Sequence, residues 1–217
     1  MRRPWLRWLG LFALAALGLC VIGAWAIMVR VCTDAKPGAP TNYRQLAFFT
    51  GLPPVLDIAH RGASKLAPEH SFEAYQLALD QGAHVLELDV RRLRDGVLVV
   101  AHDRSLRRTH GVDTAYADLD WPELERLVAS SPMTQRPPIR VSLALARLPS
   151  ARFNLELKDA SLDAARGLAA VIAAAGAEGR VLVASSHLAV LAEFRRVTAG
   201  RVTTSASTAE ALDYYFC

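Results

Sequence analysis

The sequence predicts an α/β fold, a TIM (β/α)8-type barrel, from three observations. From residue 55 onward, short apolar runs alternate with segments of helical period, a pattern typical of a parallel sheet covered by helices. Two of the apolar runs, at residues 85–90 and 153–158, carry charged residues at alternate positions. Histidines and carboxylates stand toward the ends of several runs, and such barrels gather their catalytic groups at the C-terminal ends of the strands.

The elements follow one another in a regular order. Six strands are predicted, at residues 55–60, 83–90, 97–102, 153–158, 181–185 and 201–205. Five helices are predicted, at residues 71–82, 119–129, 161–176, 188–198 and 208–216. The strands are expected to be parallel, because helices separate most of them.

Individual residues set several boundaries of these elements. Ser71 is a favoured N-cap for the first helix. Asp95-Gly96 turns the chain between the second and third strands. Gly176 ends the alanine-rich helix that follows the fourth strand.

The strand count is too small for a closed barrel. A typical barrel has eight strands in about 250 residues, whereas residues 55–217 hold 163 residues and six predicted strands. An open barrel would expose strand edges, which natural sheets avoid. We therefore expect a barrel domain over residues 55–217 that lacks its last two βα units.

The N-terminus has the pattern of a membrane anchor. Residues 8–29 form an uncharged run of 22 residues, close to the roughly 20 that cross a bilayer. Three arginines precede this run, and the more basic flank stays in the cytoplasm. We expect a single-pass transmembrane helix in residues 1–30, a linker over residues 31–54, and a domain that is periplasmic or extracellular. A cleavable signal peptide is the alternative, because Ala24-Trp25-Ala26 has the small-x-small pattern of a cleavage site.

The charge distribution argues against a nucleic-acid partner. Residues 1–30 contain four of the 25 basic residues and no acidic residue, so the rest of the chain has 21 of each sign. The basic excess therefore belongs to the N-terminal segment, and the domain is neutral overall. Three cysteines do not form a disulfide framework.

The charged residues within the strands indicate a polar site. Glu87 and Asp89 lie two positions apart in the second strand, and Glu156 and Lys158 do so in the fourth, so each pair shares one face. A buried carboxylate must be paired, hydrogen-bonded or bound to a metal. Carboxylate oxygens suit Mg²⁺ or Ca²⁺, which makes the three acidic residues candidate metal ligands. A buried salt-bridge cluster is the alternative.

Two histidines stand at the ends of strands. His60 closes the first strand, beside Arg61, and His102 closes the third. A histidine pair supplies a general acid and a general base, and Arg61 can form forked bonds to a phosphate. The alternative is that both histidines are ordinary hydrogen-bonded residues at the rim of a barrel.

Six motifs stand in order along the chain: His60-Arg61-Gly62-Ala63, Ala67-Pro68-Glu69-His70-Ser71, Gly82-Ala83-His84-Val85-Leu86-Glu87-Leu88-Asp89-Val90, Asp95-Gly96-Val97-Leu98-Val99-Val100-Ala101-His102-Asp103, Leu106-Arg107-Arg108-Thr109 and Asn154-Leu155-Glu156-Leu157-Lys158. Together they resemble the glycerophosphodiester phosphodiesterase family, over about residues 55–205. The family's Pro-Glu-Asn-Thr segment reads Pro-Glu-His-Ser here, so His70 replaces an asparagine near the site.

The resemblance implies a role for each candidate residue. His60 and His102 would be the catalytic acid–base pair, with the assignment of acid and base left open. A divalent cation, Mg²⁺ or Ca²⁺, would be held by three carboxylates, those of Glu87, Asp89 and Glu156. The phosphate would be bound by Arg61 and Lys158.

The implied activity is the metal-dependent hydrolysis of a glycerophosphodiester to glycerol 3-phosphate and an alcohol. A phospholipase D acting on lysophospholipids or sphingolipids is the closest alternative, and it suits a membrane tether. A catalytically inactive, anchored binding module is an alternative from another class. The expected partners are thus a small glycerophosphodiester or lysolipid and the membrane, with no nucleic acid; the oligomeric state stays open.

Overall fold

The computed structural model describes residues 46–131 and 137–216. The predicted anchor and most of the predicted linker lie outside these residues. Across the part that is described, none of the helices combines the length and the apolar character needed to cross a membrane. The chain divides into a unit of Asn42–Ala209 and a unit of Met1–Thr41 with Glu210–Cys217.

The larger unit is built on one sheet of six described strands, numbered β1 to β6 along the chain. Their bounds are Ile58–His60, Val85–Arg92, Leu98–Val100, Phe153–Leu157, Val181–Ala184 and Thr203–Thr204. The parallel strands run in the order β1-β2-β4-β5-β6 across the sheet. This order confirms a parallel α/β fold.

The third strand does not belong to the parallel set. β3 pairs with the C-terminal part of β2 in antiparallel register, with Val100 opposite Val90 and Leu98 opposite Arg92. The prediction of a third parallel strand ending at His102 was therefore wrong. The connection through Asp95-Gly96 is too short for anything but a hairpin, because parallel neighbours need a crossover of a dozen or more residues.

Seven α-helices are described, numbered α1 to α7. Their bounds are Phe72–Asp80, Arg107–His110, Trp121–Ala129, Val141–Arg147, Leu162–Ala174, Leu188–Thr198 and Thr208–Phe216. Helices at all five predicted places are confirmed, whereas α2 and α4 were not predicted. Short 3-10 turns lie at Ala47–Phe49, Tyr116–Asp118 and Glu178–Arg180.

Two buried clusters hold the larger unit together. The main cluster joins the sheet to its covering helices, through fully buried residues such as Leu88, Leu155, Val183 and Phe194. A second cluster, around Tyr116, fills the segment between β2 and β4. Burial of each such side chain stabilises the fold by roughly 1.5–3 kcal/mol, and the rigid sheet then fixes the polar side chains that it carries.

The outer strands of the described sheet are β1 and β6. β1 pairs only with β2, and β6 pairs only with β5, among the residues that the structure describes. The side chain of His60 at the end of β1 is consequently 68% exposed. The described part of the sheet is therefore open rather than closed into a barrel.

Candidate active site

Strand register brings the predicted site residues together. His60 lies opposite Glu87 in the β1–β2 pair, and Glu156 lies opposite Asp89 in the β2–β4 pair. Directly opposed residues of neighbouring strands point to the same face of a sheet. One face near the C-terminal ends of these strands therefore carries a histidine and three carboxylates.

The three carboxylates form a compact cluster. One oxygen from each of Glu87, Asp89 and Glu156 lies within 4.8 Å of the others. Glu87 and Asp89 are buried, and Oδ1 of Asp89 is shielded from solvent and lies 3.1 Å from Nζ of Lys158. Three carboxylates held this close repel one another unless cations balance them, and oxygen clusters of this kind bind hard divalent cations. The residues fit a metal site.

Burial and mutual repulsion shape the charges of this cluster. Burial, reinforced by the charge of Asp89, raises the pKa of Glu87 to about 7. Burial acts in the same direction on Asp89, but the hydrogen bond from His70 and the ion pair with Lys158 outweigh it and hold the pKa of Asp89 below its ordinary value. The carboxylate of Asp89 therefore stays ionised, whereas Glu87 titrates near neutral pH.

Lys158 neutralises part of that charge. Its Nζ lies 3.1 Å from Oδ1 of Asp89 and 3.1 Å from Oε1 of Glu156. Partial burial alone would lower the pKa of Lys158, but the two carboxylates raise it. The ammonium group is therefore charged and faces the carboxylate cluster.

Arg61 reaches the cluster from the loop after β1. Its backbone N–H donates to Oε2 of Glu87 at 3.0 Å, and its Nη1 donates to Oε2 of Glu69 at 3.2 Å. Its Nε lies 3.3 Å from Oδ2 of Asp89, yet this buried N–H makes no hydrogen bond within the described structure. The guanidinium thus retains a donor beside the carboxylates.

The loop that carries Arg61 has an unusual backbone. Arg61 adopts a left-handed conformation with φ 57°, and Gly62 follows with φ 75°. A Cβ atom at Gly62 would lie 2.8 Å from the carbonyl carbon of Ala74 in α1. Only glycine permits this close approach of loop and helix, which brings the Arg61 backbone to Glu87.

The two histidines occupy different surroundings. Nε2 of His60 lies 3.9 Å from Oε2 of Glu87, so His60 borders the carboxylates from an exposed position. His102 lies beyond β3, and its Nδ1 lies 2.9 Å from Oδ1 of Asp103. The backbone N–H of Ala101 donates to the carbonyl oxygen of Asp89 at 2.9 Å, so the hairpin ties the His102 segment to the strand of the cluster.

An ion-pair network links Arg61 to His102. Glu69 accepts from both Arg61 and Arg108, and Nε of Arg108 donates to Oδ2 of Asp103 at 2.5 Å. Burial alone would raise the pKa of Glu69, but the two arginines have the larger effect, and the pKa of Glu69 is lowered. Glu69, whose sequence motif gave it no clear role, is therefore a bridge between the two halves of the site.

Two further residues border the carboxylates: His70, which the sequence motif placed near the site without a role, and Tyr75, which the sequence did not single out. Nε2 of His70 lies 3.0 Å from Oδ2 of Asp89, and Nδ1 of His70 lies 3.1 Å from the hydroxyl of Tyr75. Burial lowers the pKa of His70, partly offset by Asp89, so the imidazole is neutral at pH 7. The replacement of asparagine by histidine in the Pro-Glu-His-Ser segment was the available signal.

A cavity of about 770 Å³ opens on the His102 side of the site. Its polar lining includes Glu69, His70, His102, Asp103 and Arg108. Its apolar lining includes Val100, Tyr116, Trp121, Val128, Ile139 and Leu143. A cavity of this size accommodates a small organic group.

A family model, described as the glycerophosphoryl diester phosphodiesterase family, matches residues 60–206. The Mycobacterium tuberculosis H37Rv protein "Probable glycerophosphodiester phosphodiesterase 2" is 36% identical over 152 residues, which cover 70% of this chain and 56% of that protein. The chain therefore spans about half the length of this curated relative.

Solved structures agree with the family match. A glycerophosphodiester phosphodiesterase from Agrobacterium tumefaciens C58 has a TM-score of 0.58 and 30% identity, covering 67% of this chain and 64% of that one. A phosphodiesterase from Oleispira antarctica, solved with its product sn-glycerol-3-phosphate, has a TM-score of 0.60 and 22% identity, covering 75% and 72% respectively.

The family match spans more than half of the chain, from the first candidate histidine to a point beyond the last described strand. The parallel α/β fold agrees with the TIM-barrel-like structures of the same family. The chain therefore belongs to the glycerophosphoryl diester phosphodiesterase family.

Proposed function

We propose that this chain hydrolyses glycerophosphodiesters to glycerol 3-phosphate and an alcohol, with the aid of Mg²⁺ or Ca²⁺. The observation that carries the proposal is the cluster of Glu87, Asp89 and Glu156, whose oxygen atoms lie within 4.8 Å of one another beside two cationic side chains. The family match supports the same reaction class. Glycerol 3-phosphate is also the product bound in the Oleispira antarctica structure.

The three carboxylates would hold the cation. Their hard oxygen atoms and their closeness suit Mg²⁺ or Ca²⁺, with water completing the coordination. When bound, a divalent cation withdraws negative charge from a phosphodiester and so makes it a better electrophile. Ionised Glu87 is needed for this role, and its pKa of about 7 leaves it available near neutral pH.

Arg61 and Lys158 would bind the phosphate. Nε of Arg61 is buried without a hydrogen bond to the described residues, and Nζ of Lys158 faces the carboxylates from a position that is 19% exposed. Fixed cations beside a transferring phosphoryl group stabilise the charge that develops on its oxygens. These two donors would orient the substrate.

His60 and His102 would move the protons. One imidazole would take a proton from the attacking hydroxyl, from water or from the neighbouring hydroxyl of the glycerol. The other would deliver a proton to the leaving alkoxide. Nδ1 of His102 donates to Oδ1 of Asp103 at 2.9 Å, which orients the ring and leaves Nε2 as the atom that exchanges a proton with the substrate. Which histidine serves as acid is open to experiment.

Hydrolysis of glycerophosphocholine tests this proposal. The full chain should release choline and glycerol 3-phosphate, should stop when a chelator is added, and should recover when Mg²⁺ or Ca²⁺ is restored. A matched pair of variants, His102→Gln and His84→Gln, separates a catalytic histidine from an off-site one, since His84 contacts only the Asp57 segment among the described residues. Activity that persists in the chelator would refute the metal role.

The cavity beside His102 favours a second candidate, a phospholipase D acting on lysophospholipids or sphingolipids. The apolar lining of this cavity suits a hydrocarbon chain better than it suits a fully polar diester. Parallel assays of glycerophosphocholine and lysophosphatidylcholine distinguish the candidates. Preferential release of choline from the lipid would replace the first candidate with the second. Tight binding of either compound without turnover would indicate a binding module instead.

We further propose that residues 1–30 anchor the chain in a membrane, with the domain on the periplasmic or extracellular side. The uncharged run of residues 8–29 and the arginines before it support this placement. A protease added to intact cells after the outer barrier is opened should cleave the domain. Full protection, with cleavage only after lysis of the inner membrane, would contradict the orientation.

A further inference from the structure

Helix α1, which follows the Arg61 loop, begins with a polar counterpart of the hydrophobic staple, the contact between the residue before the N-cap and the fourth helical residue. Ser71 is the N-cap of α1, and its Oγ accepts a hydrogen bond from the backbone N–H of Ala74. His70 is thus the residue before the cap, and Tyr75 is the fourth residue of the helix. These two positions normally carry apolar residues that pack together and fix how the chain enters the helix.

In this chain the two positions are joined by a hydrogen bond. Nδ1 of His70 lies 3.1 Å from the Tyr75 hydroxyl, and both side chains are buried. Burial raises the pKa of Tyr75 well above its ordinary value, so the hydroxyl keeps its proton. Because a buried phenol needs a partner, the Tyr75 O–H donates to Nδ1, and Nε2 carries the ring proton because it faces a carboxylate oxygen that can only accept.

The Nε2–H group points at the carboxylate cluster. It donates to Oδ2 of Asp89 at 3.0 Å, while Oδ1 of the same carboxylate lies 3.1 Å from Nζ of Lys158 and faces the carboxylate cluster. The opposite tautomer would place a bare nitrogen lone pair against a carboxylate oxygen. The Asp89 acceptor and the Tyr75 donor therefore favour the same tautomer.

The backbone of His70 holds the ring in this position in a conformation that is energetically unfavourable. Its φ of 58° is left-handed, which is unfavourable for a residue with a Cβ. Its backbone N–H donates to the carbonyl oxygen of Arg61 at 3.1 Å. Strain of this kind persists where the surrounding structure fixes it, and such positions cluster at functional sites.

We propose that His70 is a positioning residue for Asp89, held between that carboxylate and the Tyr75 hydroxyl, and that it turns Oδ1 toward the cation. This role rests on the proposed function, because it concerns the metal site of that reaction. Ligating carboxylates are commonly held by such outer hydrogen bonds, and their loss costs roughly 10–100-fold in metal affinity. His70 thereby couples the start of α1 to the ligand geometry of β2.

Two variants separate the two hydrogen bonds of the ring. A glutamine side chain reaches about as far as Nε2, whereas an asparagine side chain reaches only about as far as Nδ1. In the full chain, His70→Gln should keep the bond to Asp89 and bind Mn²⁺ within roughly threefold of the unaltered protein, while His70→Asn should lose roughly tenfold or more. Both variants lose one ring bond, so both should unfold at a lower temperature. His84→Gln is the off-site control.

A measurement that needs no metal accompanies the titration. Long-range ¹H–¹⁵N spectra of the unaltered protein should show the Nε2–H tautomer for His70, and Tyr75→Phe should keep it because the Asp89 acceptor remains in place. Equal Mn²⁺ affinities of the Asn and Gln variants, or an Nδ1–H tautomer in the unaltered protein, would overturn the positioning role and leave the proposed function standing. Failure of the unaltered protein to bind Mn²⁺, with the expected tautomer present, would overturn the metal-dependent function and the positioning role together.

Discussion

Nζ of Lys158 lies 3.1 Å from Oδ1 of Asp89, a carboxylate oxygen that is shielded from solvent. The ammonium group therefore faces the same oxygen that a divalent cation would approach. Two positive charges at one carboxylate repel each other, and the repulsion is strong where water is excluded. Lys158 is thus expected to favour phosphate binding while it weakens metal binding.

Replacement of Lys158 tests whether its charge favours phosphate binding and weakens metal binding. Lys158→Met keeps much of the aliphatic side chain and removes the charge, so the affinity for Mn²⁺ should rise by roughly threefold to tenfold. The KM for glycerophosphocholine should be higher in this variant than in the unaltered protein, because a phosphate contact is lost. Titration calorimetry and steady-state kinetics measure the two effects. Lys65→Met, at an exposed lysine, is the control, and weaker Mn²⁺ binding by Lys158→Met would contradict the account.

Glu87 should give the metal-free protein an unusual pH dependence. Its folded-state pKa is about 7 against an ordinary value of 4.5, so between these values the folded state holds a proton that the unfolded state lacks. Stability should therefore fall as pH rises through this window. Glu87→Gln removes the titration, and the stability difference between the two proteins should change by on the order of 1–3 kcal/mol from pH 4.5 to pH 8.

Urea unfolding in the presence of a chelator measures this difference. His70 acts in the opposite direction, because its lowered pKa makes stability rise with pH, but it is present in both proteins and cancels. Glu178→Gln, outside the carboxylate cluster, should follow the unaltered protein at every pH. A difference between Glu87→Gln and the unaltered protein that does not vary with pH would show that Glu87 has an ordinary pKa.

The two candidate histidines should affect turnover without affecting metal binding. His60→Gln and His102→Gln should each lower kcat by roughly 100-fold or more if they transfer protons. Mn²⁺ affinity should remain nearly unchanged, because neither histidine belongs to the carboxylate cluster. His187→Gln serves as the control at a third histidine. Loss of Mn²⁺ binding in either of the first two variants would instead identify that histidine as part of the metal site.

Gly62 should tolerate no side chain. Gly62→Ala introduces a Cβ that would lie 2.8 Å from the Ala74 carbonyl carbon, in addition to the cost of a left-handed φ. Gly82 has φ 88° but nothing within 4 Å of an added Cβ, so Gly82→Ala isolates the backbone cost.

Thermal or urea unfolding compares these two glycines. Gly82→Ala should destabilise the protein by about 1 kcal/mol, and Gly62→Ala should destabilise it by about 2–4 kcal/mol because overpacking is added. Equal losses of unfolding free energy in the two variants would show that the loop can move away from α1 to make room for the Cβ atom.

Much of the fold could be predicted because local chemistry specifies it. Ser71 was expected as the N-cap of the first helix, and its Oγ does accept from Ala74. The helix predicted at residues 188–198 is α6, Leu188–Thr198. In both segments the helical period of the apolar residues and the residues at the helix ends indicate the same element. A segment is predictable when such independent features agree.

The direction of β3 was predicted wrongly although the sequence held the necessary information. Asp95-Gly96 was recognised as a turn, and Gly96 adopts φ 92° there. A turn of this length joins antiparallel strands only, but the alternation of elements elsewhere suggested a parallel strand. The helix Val141–Arg147 was also missed, since it has seven residues and no side-chain cap.

The candidate site could be predicted in part. The spacing of Glu87 and Asp89 predicts a shared face, because the period of a strand is two, but the contact of Asp89 with His70 depends on how α1 packs on the sheet. The network that joins Glu69 through Arg108 to Asp103 likewise crosses three separate segments. No local pattern encodes such contacts, and they become visible only in the folded chain.

The most direct test of the central claim is anomalous X-ray scattering from crystals of the protein soaked in Mn²⁺. The account predicts one strong peak in contact with the carboxylates of Glu87, Asp89 and Glu156, and loss of that peak in Glu87→Gln. A well-ordered carboxylate cluster that is neutralised by Lys158 and shows no peak would contradict it.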